Sequence, residues 1–459
     1  MTDRPATIER TGIEHVSPED RHGSAGRVFT LWFAANLTVA DYVIGVLCVQ
    51  AFGLTVAQSI PVLLVGNLLG GALLGLSAAM GPRLGFPQML SSRSSFGRRG
   101  NYLLGGLNWI STVGWFTVNT ILGVAALEAV FPGINFYATA TGLVALQVVV
   151  AVYGHDFIHL FEKAMSLVLG VLFLGVFILT LPKLGEAFSF VPSGGSSGMP
   201  ALGPVGVVLA ASFSYLMSWS PYASDYSRYL PADVSGKRVA LFALAGGAVA
   251  SFAIEVIGAL VGSLTPGAGF FTDLYHFAGS FGPLAIVAII LGAMAANALN
   301  IYTNALSALV LDIRAKRWLM VVVGGLVGLV LSFAGQANFV LNYQDFLFLL
   351  DYWITPWLGI VLVDYFVLKR TTVDSSTNPP LWDWMALAVY VVAVLVSVPF
   401  MVPLNPISGQ PLGFPFGSLA SVFGGADFSY FVSFGVAVVM TYALRRRQSI
   451  APPVSTPLG

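Results

Sequence analysis

The sequence predicts an all-α integral membrane protein with twelve membrane-spanning helices. Of its 459 residues, 56% are hydrophobic and 9% are charged, whereas a soluble domain carries roughly 25% charged residues. Apolar stretches of about the 20 residues that a helix needs to cross a bilayer recur along the chain. Because every backbone polar group must be paired inside lipid, helices are the expected spanning elements.

The apolar stretches define spans one to twelve in chain order. They cover residues 29–52, 57–79, 101–130, 135–153, 160–182, 202–223, 238–263, 281–311, 318–334, 343–367, 382–402 and 428–444. Every lysine and arginine except Lys183 then falls at one side of the membrane, in the tails or near the loops that follow even-numbered spans. Because cytoplasmic loops are enriched in basic residues, we expect a multi-pass plasma-membrane protein with both termini in the cytoplasm.

Composition excludes several functional classes. The net charge is zero, so nucleic acid is not an expected partner. The single cysteine, Cys48, excludes an intrachain disulfide and a cysteine metal cluster. We find no phosphate-binding loop and no nucleophile constellation, and therefore expect neither an enzyme nor an organic cofactor. His155 and His159 are four residues apart beside Asp156, and we interpret them as part of a solvated loop rather than as a metal pair.

Span six contains a proline and several serines where a regular helix is expected. Pro221 lacks a backbone donor and clashes with the preceding turn, and the flanking Ser218 and Ser220 can bond to the backbone. An interrupted transmembrane helix is typical of transporter binding sites, although a tolerated proline kink explains the pattern equally well. Further along, Asp225 and Arg228 are expected to pair near the cytoplasmic end of the span.

Span one carries a carboxylate near its middle. Asp41 follows Asn36 and Thr38, and Gly45 comes one turn later. A charge at that depth costs several kcal/mol unless it is paired, coordinated or protonated. Asp41 therefore lies in a structural polar pocket or serves as a cation ligand, a proton carrier or a ligand contact. Glu255 lies in the middle of span seven and has no evident partner in the sequence.

Spans three and eight carry the remaining polar candidates. In span three, Trp115 and Asn119 are four residues apart and share a helix face. An indole with an amide beside it suits a flat heteroaromatic ligand, but a core tryptophan with an interhelical hydrogen bond is the alternative. Span eight presents polar groups at helical spacing that could hold a monovalent cation, bind a ligand or join helices. They are Asn297, Asn300, Thr303, Asn304 and Ser307.

Spans one and six are five spans apart, and both are predicted to be interrupted. Two interrupted segments at matching positions of two halves indicate an inverted repeat with its binding site at the breaks. The predicted units are a tail at 1–27, a first repeat at 28–182, a second repeat at 202–367, spans eleven and twelve within 382–446, and a tail at 447–459.

Several sequence motifs resemble those of the nucleobase–cation symporter-1 family, in particular its purine-cytosine permease branch. They are WFAAN at 32–36, GW at 114–115 with Asn119, ASDYSRYLP at 223–231 and NALNIY at 297–302. The resemblance runs from about residue 20 to 445. It implies a LeuT-like fold of two five-helix inverted repeats plus two peripheral helices, with helices 1 and 6 interrupted.

The resemblance also implies a function and a set of binding residues. The function is import of a nucleobase, cytosine or a purine, across the membrane by symport with a proton or sodium, with the bilayer as surroundings and a monomer as the working unit. The alternative is a related heterocycle such as allantoin, a hydantoin or a thiamine-precursor pyrimidine. The implied substrate-binding residues are Trp115, Asn119, Ser218, Trp219, Asn297 and Asn300.

The implied cation site combines span one with span eight. It consists of backbone carbonyls near Thr38 and Asp41 together with Asn300, Thr303 and Asn304. Two features depart from the pattern of the sodium-coupled relatives, namely Asn304 where those relatives have a hydroxyl and the carboxylate of Asp41 at the break. Both leave a bound Na⁺ and a proton open as the coupling cation and favour the proton.

Overall fold

The computed structural model describes residues 11–193, 195, 198–267, 269–337, 339–403 and 412–446. All regular elements within these ranges are helices, and none of the described residues forms a strand. The predicted C-terminal tail at 447–459 and residues 1–10 of the predicted N-terminal tail lie outside the described ranges.

The helices follow the predicted spans closely. In the described part of the chain, nine helices are long and apolar enough to cross a membrane. Their bounds are Val56–Leu84, Gly100–Val130, Phe136–Tyr153, His155–Ser189, Leu202–Ser227, Gly236–Leu264, Phe270–Val310, Arg317–Gly335 and Asn342–Val367. The helices Gly26–Asn36 and Val39–Gln50 together form span one, and the shorter apolar helices Trp384–Phe400 and Ser429–Arg445 lie at the predicted spans eleven and twelve.

Span one is broken, and its two halves meet at an angle of 55°. Leu37 leaves the helical conformation at φ −82° and ψ 64°. Thr38 is extended, and its hydroxyl accepts a hydrogen bond from the backbone N–H of Asp41 at 3.3 Å. A threonine cap of this kind restarts a helix by pairing one of its orphan donors. The predicted interruption of span one is therefore a capped helix start in the middle of the bundle.

Span six changes helix type without a sharp bend. An α-helix over Leu202–Met217 is followed by a 3₁₀ turn at Ser220–Tyr222 and a short α-helix at Ala223–Ser227. Pro221 lies in the first turn of the 3₁₀ segment, where its missing N–H removes no hydrogen bond. The Ser218 hydroxyl donates to the carbonyl of Tyr215 at 2.7 Å.

Small residues allow spans one and seven to pack closely at the centre of the bundle. A Cβ on Gly45 would overlap the carbonyl oxygen of Glu255, and one on Gly258 would overlap the carbonyl oxygen of Tyr42. Close helix contact through glycines is the usual packing device of membrane helices. It brings the second half of span one directly against Glu255.

Two features of the fold were not predicted from the sequence. A separate helix, Phe270–Ala278, precedes the main helix of span eight, which starts at Gly282. Residues 11–25, before span one, lie across the basic end of the bundle, where the backbone N–H of His22 donates to the carbonyl of Tyr229 at 2.6 Å. We call these residues the N-terminal segment.

Candidate functional site

Trp115 lies at the centre of the bundle inside a set of aromatic rings. Its side chain is 4% exposed. The rings of Tyr215 and Phe346 stand nearly perpendicular to the indole, each with its centroid at 5.2 Å, and Tyr343 lies at 6.2 Å. We call these four residues the aromatic box. Span three supplies the indole, and spans six and ten supply the surrounding rings.

A cluster of three amides lies beside the aromatic box. Asn119 and Asn300 both donate through Nδ2 to Oδ1 of Asn297, at 3.1 and 3.3 Å. This arrangement leaves Oδ1 of Asn119 and Oδ1 of Asn300 without a donor from any described residue. The indole N–H of Trp115 is likewise buried with no acceptor among the residues that the structure describes. The site therefore presents two acceptors and one donor to a small polar ligand.

Asn297 is held in place from two sides and orients the other two amides. Its Nδ2 donates to Oε1 of Gln147 and to the carbonyl of Phe116, both at 3.1 Å. Burial of an amide is favourable only when its polar atoms are paired. Asn297 therefore positions Asn119 and Asn300, while its own N–H groups donate to neighbouring residues of the protein.

Ser218 and Trp219 lie apart from the aromatic box. The indole N–H of Trp219 donates to Oδ1 of Asn36 at 2.9 Å, and its ring lies 5.4 Å from that of Trp32. Ser218 bonds to its own helix. We expected Ser218 and Trp219 to border the Trp115 site. The span-six side chain that contacts Trp115 is instead Tyr215, about one helical turn earlier.

The structure does not bring the predicted cation ligands together. Span eight meets the break in span one at Gly292, where a Cβ would overlap the carbonyl oxygen of Leu37. Thr303 lies about three helical turns further along and donates to Asp225 at 2.8 Å. Asn304 faces span three, where it donates to Thr112 at 2.8 Å. Of the span-eight candidates, Asn300 remains at the centre of the molecule, within the amide cluster.

Asp225 is a buried carboxylate with donors on two sides. It accepts hydrogen bonds from the backbone N–H of Gln88 at 2.9 Å and from the Thr303 hydroxyl at 2.8 Å. The expected pair with Arg228 does not form, since the Arg228 guanidinium donates to the carbonyl of Gly12 in the N-terminal segment at 2.9 Å. Asp225 thus joins spans six and eight to the loop after span two.

Asp41 lies in an environment of the opposite kind. It is fully buried, and the groups beside it are the Ser251 hydroxyl and the carboxyl of Glu255. Neither carboxyl oxygen of Asp41 has a hydrogen-bond partner of ordinary geometry among the described residues. Glu255 accepts a short hydrogen bond from Nδ2 of Asn67 in span two. Spans one and seven therefore hold two buried acids side by side.

Two tyrosines connect the break in span one to the aromatic box. The hydroxyl of Tyr215 lies 2.5 Å from Oγ1 of Thr38, and the hydroxyl of Tyr343 donates to the carbonyl of Ala40 at 3.2 Å. Both rings also contact Trp115. Sequence reasoning missed Tyr215, Tyr343 and the Asp41–Glu255 contact, because each depends on packing between distant spans and leaves no periodic signal.

The histidines at the start of span five are not a solvated loop. His155 is 4% exposed and stacks on Tyr229 with ring centroids 3.9 Å apart. The ligand atoms of His22, His155 and Asp156 lie within 4.8 Å of one another. Nε2 of His22 bonds to Oδ1 of Asp156 at 3.2 Å, and this hydrogen bond raises the pKa of His22. The cluster holds the N-terminal segment against the ends of spans five and six.

Comparison with known proteins assigns the family. A family described as permeases for cytosine/purines, uracil, thiamine and allantoin matches residues 15–433. The chain is 30% identical over 455 residues to the putative purine-cytosine permease YxlA of Bacillus subtilis, with 96% of each chain covered. It is 28% identical over 381 residues to the purine-cytosine permease fcyB of Emericella nidulans, covering 79% of this chain and 74% of fcyB.

The fold has a counterpart among solved structures. Mhp1, a nucleobase-cation-symport-1 family transporter solved in a closed conformation with bromovinylhydantoin bound, is similar with a TM-score of 0.78 and 21% identity, covering 98% of each chain. This likeness confirms the LeuT-like fold class that the motifs imply. The family and its relatives are permeases and not enzymes, as expected. The chain therefore belongs to the nucleobase–cation symporter-1 family of membrane permeases, in its purine-cytosine permease branch.

Proposed function

We propose that this permease imports a nucleobase, cytosine or a purine, across the plasma membrane by symport with a cation. The observation that carries the proposal is the amide cluster beside Trp115, where two amide oxygens and one indole N–H are buried without partners among the described residues. Unpaired polar groups in a buried site are costly. A ligand with complementary N–H and acceptor atoms removes that cost, and nucleobases carry both on one flat ring.

Binding uses the face of Trp115 and the two unpaired amide oxygens. The base stacks on the indole after the perpendicular rings of Tyr215 or Phe346 move aside. Stacking on an aromatic side chain contributes about 1–3 kcal/mol per base. Oδ1 of Asn119 and Oδ1 of Asn300 then accept hydrogen bonds from ring or exocyclic N–H groups. Asn297 acts by orienting both amides.

The side from which the base enters follows from the predicted topology. The basic end of the bundle faces the cytoplasm, in keeping with the distribution of lysine and arginine. At the opposite end, a cavity of about 620 Å³ is lined by Leu122, Phe270 and Phe339, and the Phe339 ring stacks on Tyr343 of the aromatic box at 5.5 Å. We propose that the base enters through this cavity. The working unit is a monomer in the lipid bilayer.

A related heterocycle is the second candidate substrate. The solved transporter of similar fold contains bromovinylhydantoin, and a hydantoin also presents N–H donors and carbonyl acceptors on a flat ring. Two amide oxygens and one indole donor do not by themselves distinguish the two classes of ligand. Competition experiments therefore have to include hydantoin and allantoin beside the nucleobases.

Uptake of labelled cytosine and hypoxanthine into cells that lack nucleobase transport tests the proposal. Unlabelled adenine, hydantoin and allantoin serve as competitors, with pH and sodium varied independently. We expect uptake of at least one labelled base, driven by one of the two cations and lost in Trp115→Ala. Uptake of neither base, or uptake independent of both gradients, would contradict the proposal. Trp318→Ala, on the exposed surface of span nine, is the matched control.

A further inference from the structure

We propose that Asp41 and Glu255 share one proton and that this carboxyl pair is where the permease binds its coupling cation. The inference rests on the proposed symport and names its cation as the proton. It also gives a role to Glu255, which the substrate site does not use.

The pair is isolated from water and incompletely satisfied. Asp41 and Glu255 are both 0% exposed. Both carboxyl oxygens of Asp41, one oxygen of Glu255 and the hydroxyl of Ser251 have no partner of ordinary geometry in the described ranges. Nδ2 of Asn67 bonds to the other oxygen of Glu255, and the Ser251 hydroxyl lies beside Asp41. The unpaired oxygens of the two acids can therefore hold one proton between them.

The backbone forces the two acids together. Gly45 lies against the carbonyl of Glu255, and Gly258 lies against the carbonyl of Tyr42. Larger residues at either glycine would separate the helices and the carboxyls with them. Two carboxylates in contact repel each other strongly in a medium of low dielectric constant. A proton placed between them converts that repulsion into a hydrogen bond, and it needs no additional space.

Every other titratable group that faces the pair is ordinarily neutral. Tyr215 of span six, Tyr343 of span ten and Cys48 of span one lie within its electrostatic influence. No described lysine or arginine contributes to the environment of either acid. Two ionised carboxylates would therefore be buried without a counter-charge, which is strongly unfavourable. The proton supplies the missing positive charge.

The pair is connected to the proposed base site through the break in span one. Asp41 lies in the first turn after Thr38, and Thr38 contacts the hydroxyl of Tyr215 at 2.5 Å. The carbonyl of Ala40, next to Asp41, accepts from Tyr343. A proton that holds Asp41 to Glu255 thus also fixes the two tyrosines around Trp115. Its release frees the second half of span one to separate from span seven, which couples the proton to the opening of the site.

Infrared difference spectroscopy tests the shared proton without relying on transport. The spectrum of the purified wild-type protein minus that of Asp41→Asn with Glu255→Gln should contain the C=O band of a protonated carboxyl near neutral pH, beyond any bands that other buried acids such as Glu162 contribute to both proteins. Asp351→Asn is the matched control: Asp351 is a buried carboxyl of span ten outside the pair, so its replacement should leave the band assigned to the pair in place. Identical carboxyl absorption in wild type and the double variant would overturn the proposal. Both amide variants retain the shape of the acids, and thermal unfolding verifies that they fold.

Transport in proteoliposomes then separates this inference from the proposed function. Labelled base should accumulate in wild type under an inward proton gradient without sodium, and Glu255→Gln should exchange base across the membrane without responding to that gradient. Accumulation driven by sodium alone would overturn the proton pair and leave symport intact. Absence of any base transport by wild type would overturn the proposed function, whereas the infrared band would still report on the pair. A Glu255→Gln variant with wild-type response to the proton gradient would also contradict the inference.

Discussion

Spans one and six, the two spans predicted to be interrupted, carry a similar local sequence around an aspartate, but the two aspartates have different surroundings. Asp41 follows Val39-Ala40, Asp225 follows Ala223-Ser224, and a tyrosine comes next in each. Asp225 receives donors from the loop after span two and from span eight. Asp41 has no partner of ordinary geometry among the described residues; the Ser251 hydroxyl and a second acid, Glu255, lie beside it. Asp225 is therefore held by hydrogen bonds, whereas Asp41 remains able to bind a proton.

The difference arises from the neighbours and not from the local sequence. At Asp225, the short helices after span two place the N–H of Gln88 next to the carboxylate. At Asp41, the glycines of spans one and seven bring in Glu255 instead. The breaks differ in the same way, since the one beside Asp41 bends by 55° and the one before Asp225 continues as a 3₁₀ turn. Span one, which is bent at a capped break beside an unpaired acid, is suited to change conformation. Span six, which continues through its 3₁₀ turn and has its acid paired, is suited to remain fixed.

The largest expected effect is at the contact that creates the carboxyl pair. In Gly45→Ala, the added methyl overlaps the carbonyl oxygen of Glu255, and the two helices have to separate. Overpacking of this kind costs about 1–3 kcal/mol. Thermal unfolding in detergent should show a clear loss of stability. Gly435→Ala in span twelve, where a Cβ meets nothing within 4 Å, should leave the melting temperature unchanged or raised; equal behaviour of the two variants would contradict the close contact.

Replacing each aspartate by asparagine should separate their roles in stability. Asp225→Asn removes the acceptor of one of two hydrogen bonds, because Gln88 and Thr303 donate to different carboxylate oxygens and an amide nitrogen cannot accept. One hydrogen bond to a charged group contributes about 1.5–3 kcal/mol, so the melting temperature should fall. Asp41→Asn keeps one oxygen for the neighbouring Ser251 hydroxyl and gains an N–H that can donate to Glu255, so its melting temperature should match that of wild type. A larger loss in Asp41→Asn than in Asp225→Asn would reverse the assignment.

A smaller effect is expected where the break in span one meets the aromatic box. Tyr215→Phe keeps the ring beside Trp115 and removes the hydroxyl that contacts Thr38. One such hydrogen bond contributes about 1 kcal/mol, so the KM for uptake should rise several-fold. Tyr430→Phe removes a buried hydroxyl that has no partner among the described residues, and its KM should not change. If both variants behave alike, the tyrosine link has no part in binding.

The smallest effect concerns pH and the N-terminal segment. The hydrogen bond that His22 donates to the Asp156 carboxylate raises the pKa of His22 above its usual value. The bond therefore stabilises the protein fully below the ordinary histidine pKa of about 6.5, and this contribution is lost as pH rises through the folded value. The stability difference between wild type and Asp156→Asn should shrink from about pH 5.5 to about pH 9. A partly exposed pair contributes at most about 1 kcal/mol, and a difference that grows with pH would contradict the sign.

The sequence predicts the membrane helices well because their signal is local. The apolar length, the proline of span six and the polar residues of span one are each visible in one stretch of chain. The contacts that build the site are not local. Tyr215 lies one turn before the predicted Ser218, and nothing in its own span distinguishes it from a core residue. Glu255 has no partner in the sequence because Asp41 lies more than 200 positions away.

The same reasoning explains the candidates that the structure places elsewhere. Thr303 and Asn304 lie at helical spacing with Asn300, but consecutive turns of a long helix face different neighbours. Thr303 donates a hydrogen bond to Asp225, and Asn304 donates one to Thr112. Helical periodicity identifies a polar face correctly and does not reveal at which depth that face meets the break in span one.

The most direct test of the contrast between the two aspartates is base uptake by wild type, Asp41→Asn and Asp225→Asn in parallel. Each is reconstituted in proteoliposomes and assayed with and without an inward proton gradient, with uptake normalised to folded protein. The account predicts that the gradient stimulates uptake in wild type and in Asp225→Asn and has no effect on Asp41→Asn. Stimulation retained in Asp41→Asn and lost in Asp225→Asn would contradict it.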